Sequence, residues 1–255
     1  MSTKKKKKKK RFMLLYGKNS ILERIRFAPH TIQQVLVQNN CELKTVLEKV
    51  YTAGIPLKEI SQKELYKLKP VDDLQGVIAR VVEFQYAEFE ELLSVTPPLV
   101  LIFLDRIYDP HNLGSMIRST ACFGNAAIIL PEHHACHVTD SVLHVASGGE
   151  NFVPITIVPN LCNAIRLAKK SGYWIAGAMV DEGEDITKVT LPFPLGIVLG
   201  SEGKGIRAGV AKLLDMKIMI PTRGAQLSLN VSMACAILCY ELSKQKGSKD
   251  GEKDS

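Results

Sequence analysis

The chain has 255 residues, of which 46% are hydrophobic and 23% charged, and it carries a formal net charge of +7. Such a composition allows one large domain or two modest ones with a sizeable core. It excludes a membrane protein, because the longest apolar runs, 99–104 and 12–16, fall far short of the ~20 residues a spanning helix needs. The second run is also too short for a signal-peptide core.

The charge is concentrated at the start. Lys4 to Lys10 and Arg11 supply eight positive charges, so the +7 total leaves −1 for everything after them. Self-repulsion keeps such a run disordered and predicts a basic arm over 1–11. Nucleic acid is its natural partner, since each neutralised phosphate releases counterions; a solubilising tail is the alternative. Six cysteines, at 41, 122, 136, 162, 235 and 239, form no C-x-x-C pair, which predicts reduced thiols and a cytoplasmic protein. His133, His134, Cys136 and His137 cluster like metal ligands but lack a second ligand pair at zinc-finger spacing. The cluster therefore reads as a solvated loop, and no metal is expected.

Residues 12–84 have the pattern of a small α/β unit. LLYG leads into a helix near Asn19, IQQVLVQ predicts a strand, and CELKTVLEKVYTAG has helical spacing with Leu43, Val46, Leu47 and Val50 on one face. Gly54 stops that helix. IPLKEI, QKELYKLK and QGVIARVVEF then predict a strand, a short helix and a β-branched strand. No Cys, His or carboxylate constellation stands here, so the unit's expected work is recognition, or else stabilisation. The acidic stretch 85–98, with room for one or two helical turns and closed by a proline pair, predicts a linker.

A second rhythm fills 99–244. Strands are predicted at LVLIFL, AAIIL, FVPITIV, YWIAGAM, LGIVL and MKIMI. Helices are predicted at about 112–123, 141–145, 161–171 and 207–213 and over the final apolar segment, with a disordered tail at 245–255. Short apolar strands alternating with helices predict an α/β domain whose parallel sheet is covered on both faces. Ligands in such sheets sit beyond the carboxyl ends of the strands. Three polar loops fall there: DPHNLGSMIRS at 109–119, LGSEGKGI at 199–206, and the loop opening IPTRGAQLSLNVS at 220–232.

Common nucleotide motifs are missing. A P-loop needs wider glycine spacing and a Ser or Thr after its lysine, whereas Lys204 precedes Gly205. DPHNLGS stands where a dinucleotide fingerprint belongs, which disfavours a nucleotide-dependent enzyme on an ordinary doubly wound fold. Gly200, Gly203 and Gly205 still let backbone groups approach a flat ligand such as adenosine.

The three loops, in this order, resemble the signature motifs of the SpoU/TrmH family of RNA ribose 2′-O-methyltransferases. DPHNLGSMIRSTACFG resembles the first motif, IVLGSEGKGI the second and IPTRGAQLSLNVSMA the third. Residues 14–84, with YG near their start and QGVIARV near their end, resemble the substrate-binding domain of two-domain members. Members generally carry a histidine-alanine pair after YG, where this chain has Lys18 and Asn19. The resemblance implies a C-terminal α/β domain tied in a deep trefoil knot, against the general rule that chains avoid threading loops. It also implies S-adenosylmethionine as cofactor, held mainly by backbone groups at Gly200, Ile220 and Leu229, with Met179, Gly205 and Ser228 in the same set. A homodimer with its active site at the interface is implied too, and the nearly all-round apolar helix VSMACAILCYEL fits burial against a partner or under the knot. The implied substrate is RNA. Large-subunit rRNA modified at a guanosine comes first, and tRNA-modifying relatives or a catalytically silent RNA-binding relative are the alternatives.

The resemblance assigns catalytic roles to Arg118, Asn112, Glu202, Ser228 and Asn230. A ribose 2′-hydroxyl is a poor nucleophile whose deprotonated form must be favoured and aligned. A guanidinium does not give up its proton in proteins, so the role expected of Arg118 is to stabilise developing alkoxide or orient a phosphate. Asn112 is expected to orient Arg118 or to cap the helix. Glu202 is expected to hold Arg118 or the ribose, or else to serve as an acid at its own helix start. Ser228 reads as an N-cap or, with Asn230, as a group positioning the nucleotide and cofactor loop. Lys204 and Arg223 stand where an RNA phosphate passes.

Overall fold

In the computed structural model, residues 12–224 and 227–251 are described, 246–251 by their backbone alone. The lysine arm and the last four residues of the expected tail lie outside them. Contacts divide the chain into two compact units between Gln85 and Tyr86.

The first unit runs β1 (Phe12–Tyr16), α1 (Lys18–Phe27), β2 (Ile32–Gln38), α2 (Lys44–Thr52), β3 (Leu57–Ile60), α3 (Gln62–Leu68) and β4 (Val77–Val82). Its four strands are ordered β1-β4-β2-β3, with β4 antiparallel to both neighbours and β3 parallel to β2. Val46 and Val50, one turn apart on α2, are buried, and Gly54 ends the helix with φ 63°. Ser61 and Glu64 form a capping box that fixes the start of α3. One sheet face builds a core from Tyr16, Leu36, Ile60, Leu65, Leu74 and Ile78.

The second unit starts with α4 (Phe89–Leu93), inside the stretch that the proline pair and acidic residues suggested as a linker. The short helix fits the one or two turns expected there, and its Phe89 and Leu92, three positions apart, pack into the core beside Leu101, Phe103 and Ile165. The remaining elements are β5 (Val100–Asp105), α5 (Pro110–Phe123), β6 (Ala126–Pro131), α6 (Asp140–Ala146), β7 (Ile155–Val158), α7 (Leu161–Lys170), β8 (Trp174–Met179), β9 (Glu184–Asp185), β10 (Leu195–Gly200), α8 (Ala208–Ala211), β11 (Met216–Met219) and α9 (Val231–Gly251). Helix α9 continues past Lys244, where a tail was expected. Gln245 anchors it by accepting from the Leu191 amide at 3.0 Å and donating to the Val189 carbonyl at 3.0 Å.

The seven strands of this unit are ordered β7-β6-β5-β10-β8-β11-β9, all parallel. Leu101 and Phe103 join α4 and α7 on one face. Ile102 and Leu104, also buried, point by alternation to the face where α5 packs on α6 and α9. From β5 the chain steps outward to β6 and β7, crosses to β8, and returns with β10 between β5 and β8. This reversal sets the carboxyl ends of β5 and β10 side by side, with β8 and β11 next, so the three polar loops converge at a topological switch point.

Candidate active site

At that edge a pocket of about 280 Å³ opens. Gly200, Glu202, Gly205, Ile220, Ser228, Leu229 and Met179 line it, with apolar walls from Leu199, Ile218 and Leu238. The loop after β10 folds tightly back on itself. Gly205 donates to the Ser201 carbonyl at 2.8 Å, and a Cβ on Gly200 would collide with the Gly205 carbonyl carbon and the Ile206 amide. Only glycine admits that approach.

The loop's far end is pinned by a pair that motif reading missed. Asp105, at the end of β5 and fully buried, accepts from the Arg207 backbone amide at 2.8 Å and from its Nε at 2.6 Å. Such a contact spans 102 positions and leaves only a weak sequence signal, an aspartate ending an apolar strand. Asp181 and Thr222, which also line the pocket, were missed likewise; both are polar residues just beyond strand ends.

One residue from each loop meets at the pocket mouth. The Asn230 amide donates to Glu202 Oε1 at 2.6 Å and to Asn112 Oδ1 at 3.0 Å, and the Asn112 amide donates to the same Glu202 oxygen at 3.3 Å. Val231 N adds a bond of 3.4 Å to that oxygen. Glu202 therefore stabilises the start of α9 rather than of its own helix, where negative charge complements free amides. The three bonds to Glu202 all end on Oε1.

Several expected roles change. Asp109, not Asn112, caps α5, accepting from His111 N. Asn112 bonds Glu202 and Asn230, and no hydrogen bond to Arg118 is present among the described residues, the two side chains standing about 120° apart around the helix. Within one chain Glu202 does not reach Arg118: that side chain is exposed, without a hydrogen-bond or ion-pair partner among the described residues. Ser228 is not the cap of α9. Asn230 is, its Oδ1 accepting from Ser232 N at 2.9 Å and Ser232 Oγ at 2.6 Å. Ser228, Lys204 and Arg223 are exposed.

The histidine-rich loop is organised around its backbone. Cys136 N donates to the Ile107 carbonyl at 2.7 Å, and His137 Nε2 lies 3.2 Å from the Pro131 carbonyl. Burial, and secondarily Asp109, pushes the Cys136 thiol up. Among the described residues no group of His, Cys, Asp and Glu side chains is arranged to hold a metal ion.

A pocket gripped by a glycine loop at the carboxyl edge of a parallel sheet, with a polar triad at its mouth, defines an α/β enzyme with a small-molecule cofactor. The SpoU rRNA methylase family matches residues 99–240, and the RNA 2′-O ribose methyltransferase substrate-binding family matches 14–87. The 23S rRNA (guanosine-2′-O-)-methyltransferase of Coxiella burnetii is 37% identical, over 91% of this chain and 95% of its own length. Its counterpart in Nitrosomonas europaea is 33% identical, over 93% of each chain. The SpoU methyltransferase AviRb of Streptomyces viridochromogenes, solved with its cofactor AdoMet, has the same fold (TM-score 0.75, 22% identity, covering 93% of this chain and 91% of that one). The chain belongs to the SpoU methylase family, the S-adenosylmethionine-dependent RNA ribose 2′-O-methyltransferases.

The pocket fits that cofactor. Leu199, Ile218 and Leu238 offer apolar surface to a flat base, and the Asp181 and Glu202 carboxylates complement a sulfonium and an ammonium.

Proposed function

We propose that this protein methylates the 2′-hydroxyl of a guanosine in large-subunit ribosomal RNA. The observation that carries the reading is the joining of Asn112, Glu202 and Asn230 across three separate loops at the mouth of the pocket. Support for the substrate comes from the 23S rRNA guanosine methyltransferases that resemble the chain over nearly their full length. The first unit serves as RNA-binding domain and 99–244 as the core of the catalytic one.

Bound S-adenosylmethionine supplies an electrophilic methyl group. The backbone at Gly200, Gly205, Ile220 and Leu229, with Met179 and Ser228 alongside, holds it. The Asn112–Glu202–Asn230 cluster fixes the α9 start, and Glu202, which lines the pocket, would offer its carboxylate to the bound cofactor. Arg118 acts electrostatically on the ribose oxygen or a neighbouring phosphate while the hydroxyl proton passes to a phosphate oxygen or water. Ser228 and Asn230 keep the nucleotide loop in register.

The active enzyme is a homodimer, which brings Arg118 of each copy an environment that one chain alone does not provide. Met233, Ile237 and Tyr240 form an exposed stripe on α9, with Tyr240 edge-on to Phe123, and unburied apolar stripes of this kind mark contact surfaces. The return of β10 between β5 and β8, with α9 folded back on α5, supports the trefoil knot. Six unbridged cysteines support a cytoplasmic location, and no helix among the described residues is long and apolar enough to cross a membrane.

The test is transfer of a labelled methyl group from S-adenosylmethionine to ribosomal RNA, with the product nucleotide mapped. The expected product is 2′-O-methylguanosine in the large-subunit RNA. Intact cofactor binding without incorporation into any RNA would defeat the enzymatic reading, and label in tRNA alone would replace the substrate.

A further inference from the structure

We infer that the open end of the first unit's sheet is a stacking platform for unpaired nucleotides of the substrate RNA, with Phe12 as its aromatic surface and Arg80 as its phosphate-facing cation. The inference rests on the reading of the chain as an RNA methyltransferase and assigns the recognition surface which that reading leaves open.

Register puts the relevant side chains on one face. Phe12 pairs with Val82 and Leu14 with Arg80 across β1 and β4, and Gln34 of β2 pairs with Arg80 from the other side. Alternation carries Phe12, Arg80, Val82 and Gln34 to the face that holds Tyr16, Ile78 and Leu36. At the Tyr16–Ile78 end Leu65 of α3 closes this face into a core. At the other end it stays open: Phe12 is 48% and Val82 36% exposed. An exposed phenylalanine beside an exposed valine is costly to leave in water.

The chemistry at this end suits RNA. The Arg80 guanidinium lies over the Phe12 ring, 5.3 Å from its centroid, and its Nη1 donates to Gln34 Oε1 at 3.2 Å. These contacts set the half-buried guanidinium plane against an aromatic ring, and Arg80 Nε is itself buried, with no hydrogen-bond partner among the described residues. Unpaired bases stack on aromatic rings and on guanidinium planes, and bases held in a duplex offer no such face. Phe12 follows Lys4 to Lys10 and Arg11 directly in sequence, and a run of positive charge complements a phosphate backbone.

The test compares the full-length protein with Phe12→Ala, Phe12→Trp and Arg80→Ala variants. Binding to a fluorescently labelled unpaired oligoribonucleotide and to a blunt-ended RNA duplex is followed by anisotropy over a range of salt. Phe12→Ala is expected to weaken unpaired RNA about tenfold, the loss of one base stack, and to leave the duplex within about twofold. Phe12→Trp is expected to retain unpaired binding, and Arg80→Ala to flatten the salt dependence by about 0.7 in slope. Unchanged affinity in Phe12→Ala, equal losses for the two RNAs, or a tryptophan variant as weak as the alanine one would each overturn the platform. An unchanged thermal midpoint of the first unit in each variant, read by differential scanning calorimetry, excludes misfolding of that unit as the cause. Phe12-dependent binding in a wild-type protein that transfers no methyl group to RNA supports the platform and counts against the enzymatic reading alone.

Discussion

The two sheets solve the burial of their strands differently, and the difference divides the labour. In the second unit seven parallel strands are covered on both faces, so Leu101, Phe103, Ile128, Ile129 and Val198 are all buried, and the only polar openings lie beyond the strand ends. A parallel sheet confines chemistry to its carboxyl edge. The first unit's mixed four-stranded sheet leaves part of one face bare at Phe12 and Val82. A face can hold a long, variable polymer by stacking and charge, whereas an edge pocket bounded by the glycine loop at Gly200 holds one small molecule in one orientation. Precision is required at the edge, and adaptability is enough on the face.

The sharpest break in this contrast comes at the edge. Arg118→Ala is expected to lower kcat by about 10²–10³-fold, the scale of losing one preorganised electrostatic contact, and to leave cofactor affinity within a few-fold. Single-turnover methylation with calorimetric titration of S-adenosylmethionine reads both quantities. Equal loss of both would move Arg118 out of the reaction and into the pocket's construction. Gly200→Ala is expected to act the other way round. Its added Cβ meets the Gly205 carbonyl carbon and the Ile206 amide, which are backbone and cannot rotate aside, so the loop shifts. Misplacement on this scale costs about hundredfold in kcat/KM, with cofactor affinity falling alongside and unpaired-RNA affinity unchanged. A Gly200→Ala protein with normal cofactor affinity would show that the loop is pliant and that the contrast between edge and face is overdrawn.

How much of this was legible in the sequence follows from the range of each interaction. Strands such as IQQVLVQ and helices such as 161–171 announce themselves through local period, and the structure has β2 at Ile32–Gln38 and α7 at Leu161–Lys170. Strand β9 did not, because Glu184 and Asp185 have no strand propensity and pair only where β11 offers an edge. In the stretch read as a linker the short helix was legible, but the packing of Phe89 and Leu92 into the core was not, because prolines and acids masked their spacing. At the site, the three loops were legible as motifs, and their convergence followed from strand-end geometry. Which side chain bonds which was not: Asn112 reaches Glu202 across 90 positions and Asn230 across 118. Local reasoning assigns Glu202 to its own helix and Ser228 to the cap, whereas the folded chain gives the α9 terminus to Glu202 and Asn230.

The smallest expected effect belongs to the first unit and tests whether its scaffold is independent of the chemistry. Ser61 Oγ and Ser61 N donate to Glu64 Oε2 at 2.7 and 2.9 Å, and Glu64 N returns a bond to Ser61 Oγ at 3.3 Å. The Ser61 hydroxyl, and after it the Ser61 amide, holds the Glu64 carboxyl below its ordinary value. Because the folded value is depressed, this stabilisation is complete above the ordinary carboxylate range and is lost as pH falls through the folded value. Ser61→Ala is therefore expected to lower the thermal midpoint of the first unit by roughly 4–8 °C at neutral pH. The gap between variant and wild type should shrink steadily below about pH 4. Differential scanning calorimetry across that range checks it. A gap that stays constant with pH would assign the loss to the serine-to-Glu64-amide bond alone, and a change in cofactor affinity at neutral pH would mean that the two units do not divide the work as their sheets suggest.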